Sequence, residues 1–216
     1  MLARMLALLL RVTILSLFHP HSALVWADGA AQPVEVRAGQ AYGNRGFTIE
    51  VGPLRRSYRG RLIASDGGSE LRLINEVELE DYVASVVGAE MAQGPAAARQ
   101  ALAIAARSFA VRTHAAGHLC DTTHCQWYRG LEGADFESAR RTRGQVLLLE
   151  DGEVAQAFHS QDCGGATGDS HPAGLPPGHG HGRGLCQRGA LFQATKGASA
   201  HQIVARYFPG LRIGVR

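Results

Sequence analysis

The chain has 216 residues, of which 45% are hydrophobic and 19% are charged, so one domain of ordinary size can bury a core. This balance excludes a disordered polypeptide, which lacks the apolar surface needed to fold. The formal net charge is only +3, which excludes the strongly basic character typical of proteins that bind nucleic acid. Four cysteines are too few for a small fold built on disulfide bonds.

The first 27 residues have the composition of an export signal. Arg4 and Arg11 bracket an apolar start, and the segment contains no Asp or Glu. Val25-Trp26-Ala27 places small side chains where a signal peptidase requires them. The apolar run is shorter than the roughly 20 residues of a membrane span. We therefore predict a signal peptide over residues 1–27, with an uncleaved anchor as the alternative, and a mature protein with no stable membrane span.

The next stretch, residues 28–45, is rich in Gly, Ala and Gln without any period, which predicts a linker or a first irregular strand before a domain over residues 46–216. Short alternating runs between Phe47 and Asn75 are separated by glycine-containing turns. This pattern predicts a small antiparallel sheet.

From Leu79 the apolar residues recur at helical spacing until Gly94, and Pro95 suits the first turn of a second helix over residues 96–116. The remaining predicted elements are a polar helix near 136–143, a hairpin of strands 145–150 and 154–158, and a last helical pattern over 187–207. Sheet, helices, sheet and helix in one domain predict an α+β fold, in which a small antiparallel sheet packs with several helices.

Glu90 is an unusual residue in the first predicted helix. On a helical wheel it lies about 20° from Leu79, in the middle of an otherwise apolar stripe. If the helix ends early, Glu90 points to water or pairs with a buried arginine such as Arg107. If the helix continues, the carboxyl lies in an apolar cleft, where it stays protonated near neutral pH and acts as a general acid.

Cysteine and histidine cluster just after the second helix. His114, Cys120, His124 and Cys125 supply two thiolates and two imidazoles, which suit a tetrahedral zinc ion. A disulfide between Cys120 and Cys125 is the alternative, because export leads to an oxidising compartment. The residues alone leave both readings open.

Two glycine-rich stretches follow, one around Cys163 and one around Cys186. Their glycines let the backbone approach a ligand closely, and the spacing does not match a dinucleotide-binding fingerprint. A surface loop is the alternative, with the two cysteines joined as a disulfide or packed as separate thiols.

Several motifs in chain order resemble the stage II sporulation protein D (SpoIID/LytB) family. They are Leu79-Glu80-Asp81-Tyr82-Val83 with Val86-Val87-Gly88-Ala89-Glu90-Met91, Ala103-Ile104-Ala105-Ala106-Arg107-Ser108-Phe109-Ala110, Cys120-Asp121-Thr122-Thr123-His124-Cys125-Gln126, Phe158-His159-Ser160 with Cys163-Gly164-Gly165, and Gly180-His181-Gly182 with Gly184-Leu185-Cys186-Gln187. The resemblance extends from about Tyr58 to Ile213.

This resemblance implies a single SpoIID-like domain in an exported protein, periplasmic or associated with the cell wall. The implied activity is that of a peptidoglycan lytic transglycosylase, which cleaves the MurNAc–GlcNAc bond of glycan strands and leaves 1,6-anhydro-MurNAc ends. The catalytic glutamate of the family falls on Glu90. The alternative is a non-catalytic wall-binding module that enhances a partner amidase.

The resemblance also assigns the remaining sites. It implies a structural zinc ion held by His114, Cys120, His124 and Cys125. We further predict that Cys163 and Cys186 lie side by side and form a disulfide that joins the two late loops. The predicted substrate-binding residues are Ser160, Gly164, Gly165, His181 and Gln187.

Overall fold

Alternation of apolar and polar residues, rather than a long apolar run, organises the first half of the chain into two sheets. The structure is a computed structural model that describes residues 8–117, 119–163 and 181–216. The strands of this half are β1 (Leu9–Ile14), β2 (Leu24–Ala27), β3 (Val34–Glu35), β4 (Ala41–Tyr42), β5 (Gly46–Val51), β6 (Leu54–Arg59), β7 (Arg61–Asp66) and β8 (Leu71–Glu78).

The two sheets differ in the number and order of their strands. One is five-stranded, with the order β4-β7-β8-β1-β9, and includes the short strand β9 (Leu119–Cys120). The other is four-stranded, with the order β3-β2-β5-β6. All neighbouring strands are antiparallel except β1 and β9, which are parallel.

Residues before 46 take part in the packed sheets. Strand β1 lies between β8 and β9, and Leu10, Val12 and Ile14 are at most 1% exposed. Strand β2 pairs with β5, and residues 28–45 contribute β3 and β4, which agrees with the irregular strand and not with the linker. The strands therefore extend beyond the predicted limits at residues 27 and 45, since an apolar stretch of this length suits a buried strand as well as a leader.

Five helices form the second half of the molecule. They are α1 (Leu79–Glu90), α2 (Ala96–Ala115), α3 (Phe136–Arg141), α4 (Gln187–Thr195) and α5 (Ala200–Tyr207). Helix α2 is central and packs against α1, α3, α4 and α5. Six of its alanines, from Ala98 to Ala110, are buried, and small side chains let the neighbouring helices approach closely. Strands and helices thus occupy one domain, and the predicted α+β class is confirmed.

The late secondary structure differs from the prediction in two places. Strand β10 (Gln145–Leu148) pairs with the last strand, β13 (Arg212–Val215), and the predicted hairpin is reduced to one bridge from Leu148 to Val154. The last helical pattern is broken into α4 and α5, because Ser199 begins α5 with a capping box to Gln202. No helix in the described part of the chain is long and apolar enough to cross a membrane.

A glycine sets how closely α1 approaches the loop that follows the Cys/His cluster. A Cβ atom at Gly88 would collide with the carbonyl oxygen of Gly133. Nearby, the backbone N–H of Asp135 donates to the carbonyl of Ala84 at 2.8 Å. The loop is therefore fixed against the face of α1 that leads to Glu90.

Candidate active site

Glu90 is the last residue of α1, and both of its carboxylate oxygens accept hydrogen bonds from neutral donors. The backbone N–H of Trp127 donates to Oε1 at 3.1 Å, and Nε2 of Gln187 donates to Oε2 at 3.0 Å. No ion pair of Glu90 occurs in the described residues, so the interpretation in which it pairs with Arg107 is wrong. Two fixed dipoles hold the carboxyl in one orientation and leave its charge without a cationic partner.

A cleft of about 690 Å³ opens beside this carboxyl. Met91, 4% exposed, shields Glu90 on one side, and helix α4 forms the opposite wall. Asp162, the second carboxylate of the cleft, forms an ion pair with Arg188 at 2.8 Å. The other lining residues are Ala92, Gln93, Gln161, Gln187 and Leu191. The cleft therefore contains one carboxyl bound by neutral groups and one bound by a guanidinium.

A chain of side chains leads from Glu90 into the protein. Gln187 also lies 3.3 Å from Nδ1 of His159, whose Nε2 lies 3.1 Å from Nε2 of Gln126. The oxygen of Gln126 accepts from the hydroxyl of Tyr82 at 3.1 Å. Burial raises the pKa of Tyr82 well above its ordinary value, so the hydroxyl remains a donor. Burial also lowers the pKa of His159, although the negative charge of Glu90 opposes that effect.

An aromatic column holds the segment that contacts Glu90. Phe47, Tyr58, Tyr128 and Tyr82 follow one another with ring centroids 5.2, 5.8 and 5.0 Å apart. The hydroxyl of Tyr128 donates to the buried Asn75 at 2.6 Å. The column thus connects the four-stranded sheet to α1 and fixes the backbone beside Trp127.

The family comparison covers the part of the chain that builds most of this arrangement. Residues 67–149 match the family model described as SpoIID, Stage II sporulation protein. This part of the chain is a SpoIID domain. The predicted resemblance is therefore confirmed, and the family is related to the cell wall. A search among curated proteins found no match.

The match contains the cysteine and histidine cluster. Sγ of Cys120, Sγ of Cys125 and a ring nitrogen of His124 lie within 4.8 Å of one another. Each sulfur is 3.7 Å from Nδ1 of His124, close to the separation of a thiolate and an imidazole bound to one zinc ion, about 3.6 Å. The two sulfurs are 2.9 Å apart and do not form a disulfide, and they would separate to about 3.8 Å to bind one zinc ion. His114 lies outside this group, and His118 is outside the described residues.

The two thiols of the cluster differ electrostatically. Burial opposes ionisation of Cys120, but hydrogen bonds from Cys125 and Thr122 are strong enough to lower its pKa. Burial raises the pKa of Cys125 to about 12, and the hydrogen bond to Cys120 adds to that effect. The donor set therefore fits a metal ion that ionises both thiols, and it supplies three of the four ligands of a structural zinc site.

The second cysteine pair lies at the base of α4. Cys163 and Cys186 are both completely buried, and their sulfurs lie within 4.8 Å of each other and of a carboxylate oxygen of Asp162. Their predicted proximity agrees with this geometry. Both are thiols in the structure, so the disulfide between them stays a prediction.

The predicted substrate-binding residues are distributed unevenly around this SpoIID cleft. Gln187 contacts Glu90 directly. The hydroxyl of Ser160 donates to the backbone carbonyl of Asp162 at 3.3 Å, and Nε2 of His181 lies 3.0 Å from the carbonyl oxygen of His159. Strand β11 (His159–Ser160) pairs in parallel with β12 (Leu185–Cys186), which brings the two late motifs together. Gly164 and Gly165 lie outside the described residues.

Besides Trp127, three residues of the site were missed by sequence reasoning as contacts of Glu90 or its supports. They are His159, Gln126 and Asn75. Asn75 carries a signal in the sequence, since it occupies a buried position of β8 between Leu73 and Val77. A polar residue at such a position needs a partner inside the fold. The contacts of the other two depend on segments far apart in the chain.

Proposed function

We propose that this SpoIID protein is a lytic transglycosylase that cleaves the MurNAc–GlcNAc bond of peptidoglycan glycan strands, with Glu90 as its acid and base. The observation that supports the proposal is the environment of Glu90, a carboxyl in an open cleft that is oriented by neutral donors alone. Such a group can release and recover a proton without breaking an ion pair.

The reaction uses one carboxyl twice. The Glu90 proton moves to the glycosidic oxygen as the bond from C1 of MurNAc to that oxygen breaks through an oxocarbenium-like state. The carboxylate then takes the proton of the 6-hydroxyl of the same sugar, while the oxygen of that hydroxyl bonds to C1. The products are a 1,6-anhydro-MurNAc end and a GlcNAc 4-hydroxyl, and Glu90 is protonated again.

The hydrogen-bond network couples the protonation state of Glu90 to the orientation of the Gln187 amide. Because Tyr82 donates to Gln126, the amide NH2 of Gln126 donates to Nε2 of His159, and the His159 proton lies on Nδ1. The Gln187 amide presents its NH2 to the Glu90 carboxylate. After an amide rotation, its oxygen accepts from protonated Glu90 and from His159 Nδ1–H. The rotated amide therefore suits protonated Glu90. When Glu90 is ionised, the NH2 of Gln187 faces the Nδ1–H of His159 at 3.3 Å, and those two donors do not form a hydrogen bond.

Asp162, the second carboxylate of the cleft, does not favour a hydrolytic mechanism. An inverting or retaining hydrolase needs a second carboxylate to activate water or attack the sugar. In this cleft Asp162 is bound to the guanidinium of Arg188 at 2.8 Å, which disfavours both roles. Intramolecular attack by the 6-hydroxyl needs only Glu90.

A structural zinc ion is part of the proposal. Cys120, Cys125 and His124 would hold it, and it would fix the start of the segment that runs through Gln126 to Trp127. When bound, the metal supplies cross-linking of a loop and no reacting group. The protein is proposed to act outside the cytoplasm, in the periplasm or at the wall, where its glycan substrate is located.

Mass spectrometry of glycan strands incubated with the protein tests the activity. Wild-type protein is expected to produce anhydro-MurNAc ends, and Glu90→Gln is expected to lose at least about 100-fold in rate, because the general acid is removed. Glu80→Gln is not an adequate control, since Glu80 is structural, so the matched control is the exposed Glu137→Gln. Reducing ends in place of anhydro ends would indicate hydrolysis. Absence of product, with stimulation of a partner amidase that Glu90→Gln retains, would favour the wall-binding alternative.

A further inference from the structure

Both tryptophans of the chain carry an arginine against the indole ring. The guanidinium carbon of Arg55 is 4.3 Å from the ring centroid of Trp26, and that of Arg129 is 5.2 Å from the ring of Trp127. Trp127 is 43% exposed, and Arg55 is exposed. Guanidinium groups held over aromatic faces lose little conformational freedom when they bind an anion.

The first of these pairs lies on the outer face of the four-stranded sheet. Trp26, Thr48 and Ser57 are register partners on β2, β5 and β6, while the alternate residues Val25 and Ile49 are buried. A depression of about 470 Å³ opens over this row. Among the described residues that line it are three arginines, Arg45, Arg55 and Arg59, and no acidic residue.

A short segment connects this depression to the Glu90 cleft. The backbone N–H of Trp127 binds Glu90, that of Arg129 donates to Ser85 Oγ at 3.0 Å, and that of Leu131 donates to the Ser57 carbonyl at 2.8 Å. Leu131 and Ser57 both line the depression. Four residues of extended chain span at most about 14 Å, so the backbone beside Glu90 and the edge of the depression lie within that distance of each other. We name the surface formed by Trp127, Arg129, Leu131, Trp26 and Arg55 the tryptophan–arginine track.

The track has positive charge available for an external partner. Arg129 pairs with Glu132 at 2.8 Å, and Arg59 pairs with Asp81 at 2.9 Å. Arg45 and Arg55 form no ion pair with any described residue. The nearby Asp28 lies at the edge of this surface, where its carboxylate accepts from the backbone N–H groups of residues 44 and 45. Two exposed guanidinium groups beside an indole ring therefore suit a carboxylate attached to a sugar.

We infer that the tryptophan–arginine track is a second contact surface for the glycan strand that is cut at Glu90. This inference rests on the proposed function, because it takes the strand as the substrate. In strands without stem peptides, each MurNAc has a free lactyl carboxylate, which can form paired hydrogen bonds with a guanidinium. The apolar faces of the sugar rings pack against the indoles. A strand long enough to fill both sites binds more tightly than a short one, since the second contact becomes intramolecular.

Binding measurements with two lengths of strand test the track. The protein carries Glu90→Gln throughout, so that the strands stay intact, and the ligands are long purified strands and a tetrasaccharide. The parent is expected to bind long strands about tenfold more tightly, and Arg55→Glu is expected to remove that advantage. Trp26→Ala should reduce it as well. Arg143→Glu, at an exposed arginine beyond α3, should retain it. Thermal melting shows that each variant is folded.

A second experiment changes the charge of the ligand. Long strands whose lactyl carboxylates are converted to methyl amides are expected to bind about as weakly as the tetrasaccharide. Equal binding of the amidated and carboxylate forms would overturn the role of the arginines. An unchanged length advantage in Arg55→Glu would overturn the track.

The outcomes separate the track from the proposed chemistry. If Glu90-dependent anhydro ends form and Arg55→Glu keeps the length advantage, the track is wrong and the proposed function stands. If Arg55→Glu removes the advantage and the wild-type protein forms no anhydro ends, the track stands and the proposed chemistry fails. If strands of neither length bind, both are overturned.

Discussion

The two ends of helix α1 each carry a glutamate, and the two carboxyls are used in opposite ways. Near the start, Glu80 accepts two hydrogen bonds from the guanidinium of Arg107, at 3.0 and 2.7 Å. At the end, Glu90 accepts only from a backbone N–H and a side-chain amide. The buried guanidinium fixes Glu80 in an ion pair, whereas Glu90 is held by neutral donors beside an open cleft, as the proposed acid and base requires.

Arg107 explains why the first end is rigid. Its side chain is completely buried, and it also donates to the carbonyl oxygens of Ala103, Ala139 and Gln145. One residue therefore connects α1, α2, α3 and β10. Glu90 has no comparable group, and its position depends on the loop at Trp127 and on α4.

Disrupting the five-stranded sheet that leads into α1 should have the largest effect on stability. Helix α1 follows β8 without a loop, and β8 is paired with β1. Val12 of β1 is completely buried, so we expect Val12→Asp to cost more than about 4 kcal/mol and to leave the purified protein unfolded in circular dichroism and thermal melting.

The control for this variant lies in the same strand. Leu9 is 50% exposed, and Leu9→Asp is expected to change stability by less than about 1 kcal/mol. If both variants melt like the wild type and the mature protein begins at Asp28 by intact mass, then the residues of β1 are a leader and not part of the fold.

Removing Arg107 tests the structural end of the comparison. Arg107→Met leaves Glu80 in the interior without its cation, and a loss of about 3–5 kcal/mol in the free energy of unfolding is expected from denaturant titration. The exposed pair of Arg140 and Glu137 is the control, with less than about 1 kcal/mol for Arg140→Met. A similar small loss for Arg107→Met would contradict the contrast between the two ends.

Changing Gln187 tests the hydrogen bonding of Glu90 at the end of α1. Gln187→Ala removes the donor to Glu90 Oε2, and we expect turnover of glycan strands to fall about tenfold, with KM much less affected. Gln93, which lines the same cleft without a hydrogen bond to Glu90, provides the matched variant Gln93→Ala. Equal turnover in the two variants would show that Glu90 does not depend on this amide.

The smallest effect is expected for the pH dependence of stability near Glu90. Burial lowers the pKa of His159 in the folded protein, so below about pH 6.5 the unfolded chain takes up a proton that the folded protein resists. Stability should therefore fall as the pH drops through this window. His181 and Glu90 face His159, and both change its titration. In His159→Gln this part of the pH dependence should disappear. Denaturant titrations between pH 5 and 7, at intervals of about 0.5 pH unit, measure it. A stability profile identical to that of the wild type would contradict the prediction.

Sequence reasoning predicted the helical half of the fold better than its ends. The spacing of Leu79, Val83 and Val86 led to α1, and Pro95 marked the start of α2 within one residue. It failed for residues 8–27, because an apolar stretch near a chain start has the same composition in a leader and in a buried strand. Alternation in β1 was visible at Leu10, Val12 and Ile14, but only its neighbours β8 and β9 show that both sides of the strand are paired.

For the candidate site, the sequence by itself singled out one carboxyl and predicted the SpoIID domain. A carboxylate on an apolar stripe singled out Glu90, and the ordered motifs indicated the SpoIID domain that the family model confirms. Tertiary structure decided the partners. Trp127, His159 and Gln187 come from segments 37, 69 and 97 residues away from Glu90 in the chain. Hydrogen bonds between such distant segments leave no periodicity in a sequence, since they depend on how whole elements pack and not on local spacing.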